Sequence, residues 1–322
     1  MSSGLVNGSF GSKWAYRVHG TGRINGTQSS PGYLIKNTAS NDYSFSGAFG
    51  YKGTRLEADV FYSRYTSSLG IFTGSHIGNL TDLNAAFLAE QPKDSGYFTY
   101  SIEKPKQFIQ HQLSKLNLVY NWNEKIKTSV IVGYQYNLRQ EYDLHKAYND
   151  SLAALDLPAF ELKLWTTSVD AKTTIQHSRK LKSVVGASYF NQDNAYAGRF
   201  FIPNFQKWQG GIYYTGVYES ENWQFDYGVR YDLSRLKVYK YEGNVLTSPE
   251  RDFGNISASI GASRVIGHHV IVRANTGTAW RPPSINELYS DGLHHGAAAI
   301  EVGDPLMKKE TVYNVQAGMQ YK

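Results

Sequence analysis

From Trp223 to Asp232 every second residue is apolar: Trp223, Phe225, Tyr227, Val229 and Tyr231 alternate with Gln224, Asp226, Gly228, Arg230 and Asp232. A period of two places the first set on one side of an extended strand and the second on the other, whereas a helix would scatter the rings all round. The pattern returns in Leu116, Leu118, Tyr120, Trp122; in Ile126, Thr128, Val130, Val132, Tyr134, Tyr136; in Val270, Val272, Ala274, Thr276; and in Tyr313, Val315, Ala317, Met319, Tyr321. About twelve such runs can be read along the chain, many as long as the ~9–11 residues that cross a bilayer obliquely. Strands of globular proteins are usually about half that length.

The connections carry an independent signal. Brief turns fall near Gly50-Tyr51-Lys52-Gly53, Asn121 to Lys125, Ser178-Arg179-Lys180, Ser220-Glu221-Asn222 and Ile266-Gly267-His268. Between them lie longer links: Thr21 to Asp42, Thr66 to Gln110, Gln140 to Phe160, Asn191 to Lys207, Tyr241 to Asp252 and Arg281 to Lys309. In an antiparallel up-and-down sheet this alternation puts all short turns at one end and all long loops at the other, as in outer-membrane barrels. A soluble sandwich has little reason to keep that order. Within the longest loop, Asp82 to Ala89 reads as a helix with Thr81 as its cap, Leu83 and Phe87 on one face, and Pro92 beyond it.

One face of the strands is uniformly Val, Ile, Leu, Ala, Tyr and Trp. The other carries Glu57, Asp59, Asn117, Asp226, Arg230, Asp232, Arg273 and Asn275. Alternation alone fits a soluble barrel as well as a membrane barrel, but aromatic placement favours the membrane. Trp122 and Trp223 flank short turns while Tyr134, Tyr136 and Tyr231 sit towards the long loops, as interface girdles do. Val130, Val229 and Val272 then face lipid, and Asp226, Arg230 and Arg273 face the lumen. A mean hydropathy of −0.44 and the lack of any run of ~18 apolar residues exclude a helical span, not a barrel. The chain has no cysteine, which removes disulfides, thiol catalysis and Cys-ligated metals. The net charge of +6 comes from dispersed basic residues that form no stripe, so nucleic acid is not an expected partner.

No catalytic constellation is present: there is no G-x-S-x-G, H-E-x-x-H or P-loop, and the chain reads as a non-enzyme. His177, His268 and His269 sit at short turns and read as solvated turn residues. His76, His111 and His145 lie in or beside long loops, where an external ligand would meet them. The loop from Arg281 to Lys309 is richer. It holds Tyr289, Asp291, Glu301 and the pair His294-His295, with Pro282 and Pro283 fixing its start and Gly292 and Gly296 loosening the backbone around the pair. Imidazole ligates haem iron, Zn²⁺ and Cu²⁺, and the two carboxylates can add oxygens. A purely structural role for the pair is the alternative.

Trp280-Arg281-Pro282-Pro283 followed by Asn286-Glu287-Leu288-Tyr289 resembles the FRAP-type box of TonB-dependent outer-membrane receptors. Asp304-Pro305-Leu306-Met307-Lys308-Lys309-Glu310 resembles their NPNL-type box. Gly70 to Leu83 and Trp223 to Asp232 are also similar to that family, particularly to members from Bacteroidetes-like bacteria, so the resemblance covers essentially the whole chain. It departs at Pro282, where the family has Ala, and at Asp304, Leu306, Met307 and Lys309, where it has Asn, Asn, Leu and Pro.

The resemblance implies an all-β transmembrane barrel of about 22 strands, plugged by an N-terminal domain, sitting in the outer membrane and energised by TonB–ExbB–ExbD through that plug. Residues 1–322 then read as a partial barrel, with the plug and the C-terminal strands outside it. Met1-Ser2-Ser3-Gly4 shows no secretory signal, and Tyr321-Lys322 lacks the terminal aromatic of a complete barrel. The implied activity is import of a small ligand: an iron complex such as a siderophore, haem, or another metal species. No cofactor of the protein itself is implied. In haem receptors of the family a histidine between the two boxes binds iron, the interval that His294 and His295 occupy. Zinc and copper receptors use loop histidines similarly, for which His76 and His145 are candidates. Two other readings stand beside this one: a passive outer-membrane barrel, and a soluble Tyr-rich all-β glycan-binding protein.

Overall fold

A computed structural model describes residues 1–75, 80–92, 95–143, 156–267, 269–294 and 299–321. The chain runs through β1 (Ser2–Phe10), β2 (Trp14–Asn25), β3 (Ser29–Ser30), β4 (Tyr33–Leu34), β5 (Ser40–Lys52) and β6 (Leu56–Gly70) to a helix, α1 (Leu80–Leu88). Next come β7 (Lys106–Asn121), β8 (Ile126–Tyr142), β9 (Phe160–Gln176), β10 (Leu181–Gly198), β11 (Asn204–Glu219), β12 (Trp223–Glu242), β13 (Val245–Thr247), β14 (Glu250–Ile266) and β15 (Val270–Arg281). The last loop carries α2 (Ile285–Tyr289), β16 (Asp291–His294) and β17 (Ala299–Val302) before β18 (Glu310–Tyr321).

The long strands form one antiparallel up-and-down sheet in the order β1-β2-β5-β6-β7-β8-β9-β10-β11-β12-β14-β15-β18. That is one strand more than the sequence reading, which passed over β1 and the turn Gly11-Ser12-Lys13. Gly11 has φ +61°, a value that glycine adopts without a Cβ penalty. Other short turns are closed by side chains that satisfy freed backbone donors. The Asn123 Oδ1 accepts from the N–H of Lys125 (2.8 Å) and of Ile126 (2.9 Å), and the Ser178 Oγ accepts from those of Lys180 and Leu181, both at 3.2 Å.

Register fixes the two faces. Gly211↔Asp232↔Asn255, Tyr213↔Arg230↔Ser257 and Val217↔Asp226↔Gly261↔Asn275 place the polar set side by side, and Asn117 donates to Asp59 at 2.6 Å. Ile212↔Tyr231↔Ile256 and Tyr214↔Val229↔Ala258 lie on the opposite face. There Ile212 is 63% and Val229 48% exposed, with no layer of the described residues over them. Apolar surface of that extent is suited to a lipid environment. At the short-turn end Phe10, Trp14, Phe49 and Tyr51 form a ring cluster, with centroids of Trp14 and Tyr51 4.6 Å apart. Among the described residues no helix is long and apolar enough to cross a membrane.

Several expected boundaries move. The link expected between Asn191 and Lys207 shrinks to five residues, 199–203, because pairing between β10 and β11 continues to Asn194↔Phe205. Past the bilayer a hydrogen-bonded ribbon no longer needs strict alternation, so polar sequence there reads as loop. The helix begins at Leu80, so Thr81 lies within it rather than capping it, and it ends at Leu88, ahead of Pro92. His111, expected in or beside a long loop, is a strand residue on the polar face of β7, 3.3 Å from Gln135 Oε1.

Candidate functional site

The buried apolar cluster lies not between layers but at the long-loop end of the polar face. Leu288 and Val238, both fully buried, pack with Ile202, Phe205 and Leu236, and Leu162, Leu164, Ile285 and Met307 border them. Phe205, Leu236 and Val238 share the face of Asp226 and Arg230 by strand parity. The loop after β15 therefore folds inward over the lumen wall.

Its start is fastened by the residues of the first box. The Ser284 Oγ accepts from the Glu287 N–H (3.3 Å) and Glu287 Oε2 from the Ser284 N–H (2.7 Å), a reciprocal cap for α2. Arg281 grips the same carboxylate with two N–H groups, at 2.7 and 2.8 Å, and reaches Glu310 at 2.7 Å with its third nitrogen. Arg281 and Glu310 oppose each other in the β15–β18 ladder, so one guanidinium ties the loop to both of its roots. The Arg281 guanidinium and the Ser284 N–H hold the Glu287 carboxyl down to about 2. The second box closes the loop: the Asp304 N–H donates to Glu287 O and the Gly303 N–H to Ser290 O, both at 2.8 Å. Arg251 clamps the Pro305 and Met307 carbonyls from β14. Gly303 approaches the Leu288–Tyr289 backbone so closely that a Cβ would collide with it.

At Gly277 the strand changes course. Pairing of β15 with β14 ends at Ser259↔Gly277, and beyond it Thr278 Oγ1 takes the N–H of Ala258 at 3.1 Å. Trp280 then turns to the lumen wall, where its Nε1–H donates to Asp232 at 3.3 Å. Asp232 is also paired with Arg230, which bonds Ser188 (2.6 Å) and lies over the Tyr213 ring. Between this network and the loop start is an outward cavity of about 580 Å³, lined by Phe190, Lys207, Gln209, Asp232, Trp280 and Ser284 among others. That volume is within the ~300–1,000 Å³ range of small-molecule sites.

None of the predicted ligand residues that the structure describes lines this cavity. Tyr289 ends α2, half-buried, with the Lys240 ammonium 5.5 Å from its ring. Asp291 is exposed and opens β16, and Glu301 stands opposite Gly292 across the β16–β17 ladder. The backbone of His294 pairs with Ala299. The side chain of His294 and all of His295, His76 and His145 lie outside the described residues. Among the described residues no three His, Asp or Glu converge as a metal site. His177 is not merely solvated, since it shares a 2.7 Å hydrogen bond with Ser183. Lys207, Phe190 and Gln209 were missed by sequence reading. Their signal was inward parity at the outer ends of β10 and β11, at or beside the edges of the stretch Asn191 to Lys207 that reads as a loop.

The TonB dependent receptor-like, beta-barrel family matches residues 5–322. The chain belongs to this family. Its members are transporters of the Gram-negative outer membrane, so the soluble glycan-binding reading falls. Among solved structures, the siderophore receptor PiuA from Acinetobacter baumannii is 12% identical, with a TM-score of 0.70 over 98% of this chain and 52% of its own. The copper transporter OprC is 13% identical, with a TM-score of 0.67 over 99% and 50%. The hemophore receptor HasR of Serratia marcescens, solved with hemophore HasA and heme, is 11% identical, with a TM-score of 0.70 over 98% and 48%. The chain thus spans about half the length of these structures, and at such identities the likeness establishes the fold. No match is found among curated proteins.

Proposed function

We propose that this chain forms part of the wall and outward ligand cavity of an energy-coupled outer-membrane importer of a small metal-containing ligand. The observation that carries the reading is the loop rooted at Arg281 and Glu310. It folds inward on Leu288 and leaves a small-molecule-sized cavity at the long-loop end of the polar face. The similar structures are named for a siderophore, for copper and for a hemophore with heme, which supports an iron complex, haem or another metal species as cargo. In the sheet, β1 and β18 each pair on one side only among the described residues. Unpaired backbone groups are costly in hydrocarbon, so further strands close the barrel, and an N-terminal plug links it to TonB–ExbB–ExbD.

Within this reading His294 and His295 are the proposed capture residues, helped by Tyr289, Asp291, Glu301, His76 and His145. In the complete receptor, exchanging both histidines for Ala abolishes a haem Soret shift if haem is the cargo, and only weakens binding of a metal held by several loops. Uptake of every haem and metal species left intact in that double variant would make the pair structural. The reading as a whole is tested by deleting the gene and supplying ferric siderophores, haem or copper one at a time as the limiting nutrient. Loss of growth on at least one source is expected, and unchanged growth on all of them would refute it.

A further inference from the structure

The loop between β6 and β7 contains an uncharged run, Ser95 to Ile102, that carries Tyr97, Phe98 and Tyr100. Phe98 is 60% and Tyr100 57% exposed, and their rings meet edge to face with centroids 5.3 Å apart. Exposed aromatic surface without charges around it is costly against water. The backbone beneath these rings is held by two buried polar residues of the loop between β2 and β5. The Thr27 N–H donates to Thr99 O at 2.9 Å, and the Thr99 N–H donates to Thr27 Oγ1 at 3.0 Å. The Asn37 amide donates to the carbonyls of Ile71, Glu103 and Pro105 and accepts from the Glu103 N–H at 2.9 Å. Residues 97–103 are thus a strap tied to the outer ends of β2 and β5, with its rings presented and not packed.

Gly26 follows β2 on the parity of Ile24, an exposed residue of the apolar face, and a Cβ at Gly26 would fall 2.7 Å from the Phe98 ring. Phe98 therefore lies on the apolar side of the sheet and not over the lumen. Its depth follows from β2, which runs 12 residues from Trp14 in the ring cluster of the short-turn end to Asn25. At ~3.3 Å per residue and ~45° of tilt, Gly26 stands about 28 Å above Trp14, at the far boundary of a ~30 Å hydrocarbon core. Tyr and Trp collect at that boundary, yet β5 offers only Ser40, Asn41 and Asp42 above Tyr43. We propose that the strap is a membrane anchor: Phe98 and Tyr100 enter the outer-leaflet lipid interface and supply the girdle that β2 and β5 lack, fixing the rim of the barrel to the bilayer. Lipid is the occupant because the rings continue the apolar face of Ile24, Tyr43 and Phe45, all exposed on the same parity. The anchor is separate from the ligand cavity and independent of the cargo.

Residues 1–322 contain no cysteine, so single cysteines can be placed in the complete receptor, with any cysteine elsewhere in it replaced by serine, and labelled with a nitroxide. The variants are Tyr100→Cys, Ser101→Cys on the exposed strap backbone, Val229→Cys on the apolar face, and Asn244→Cys in the exposed turn between β12 and β13. In phosphatidylcholine vesicles, collisions of the label with oxygen, which concentrates in lipid, and with a nickel chelate, which stays in water, report depth. The label at position 100 is expected to meet the nickel chelate several-fold less often than the label at 244 while keeping its access to oxygen, and the label at 101 should repeat the result. Nickel access at 100 and 101 equal to that at 244 would overturn the proposal by placing the strap in water. Exclusion of both probes would overturn it by showing a second copy or another protein over the strap. Nickel access at 229 as high as at 244 would refute the face assignment itself, and the anchor with it.

Discussion

Replacing Val229 by Arg tests which face of the sheet meets lipid. Val229 lies six residues beyond Trp223, which marks the short-turn interface. At ~3.3 Å per residue that is about 20 Å along the strand, and at ~45° of tilt about 14 Å of depth, close to the middle of a ~30 Å hydrocarbon core. A guanidinium at that depth on the lipid face costs roughly 2–4 kcal/mol. Thr215 provides the matched control: it opposes Gly228 in the ladder while its neighbour Tyr214 opposes Val229, so it sits at the same depth on the other face, where it is exposed. Thr215→Arg should cost less than Val229→Arg, because its face already carries charged residues such as Asp226 and Arg230. Equilibrium unfolding of the complete receptor in lipid vesicles, with both variants beside the wild type, measures the difference. Equal losses, or a larger loss for Thr215→Arg, would refute the face assignment.

Leu288→Ala removes the fully buried anchor of the inward loop and should cost about 2–5 kcal/mol of local stability, read as faster proteolysis or hydrogen exchange across 282–309 while the strands stay protected. The Glu287 carboxyl, held at about 2 against an ordinary 4.5, binds fewer protons in the folded loop than in the released one. Its contribution is therefore complete above pH 4.5 and is lost as pH falls through about 2. Loop protection should decline across that window in the wild type and stay flat in Glu287→Gln. Residues 1–322 made alone should not yield a heat-resistant, protease-protected monomeric pore, since β1 and β18 have open edges; recovery of such a monomer contradicts the need for further strands.

The wall of the barrel was readable because its physics is repetitive. In Trp223 to Asp232 each residue's face follows from its parity, and lipid on one side with water on the other enforces that parity for the full crossing. The reading weakens where the enforcement stops. Beyond the alternating stretch β10 and β11 continue as a ribbon held by backbone pairing, by amide side chains such as Asn194 and Asn204 and by burial of Phe205, so Asn191 to Lys207 looked like a loop and Lys207 went unnoticed. Trp280 continues the alternation of Val272 and Ala274 in sequence, yet bonds Asp232 on the polar face beyond Gly277, where β15 parts from β14, and parity alone does not show that departure. The boxes around Arg281 and Asp304 were legible as motifs, while their work as a fastener through Glu287 and Glu310 needed the fold. The histidine pair was legible only as composition.

The most direct measurement compares binding with uptake of one radiolabelled metal complex, identified by the growth test, in cells with and without functional TonB. An energy-coupled importer with an outward cavity should bind the complex at the surface with similar affinity in both cells and accumulate it only when TonB is present. Accumulation at the same rate without TonB would make the barrel a passive pore and contradict the account.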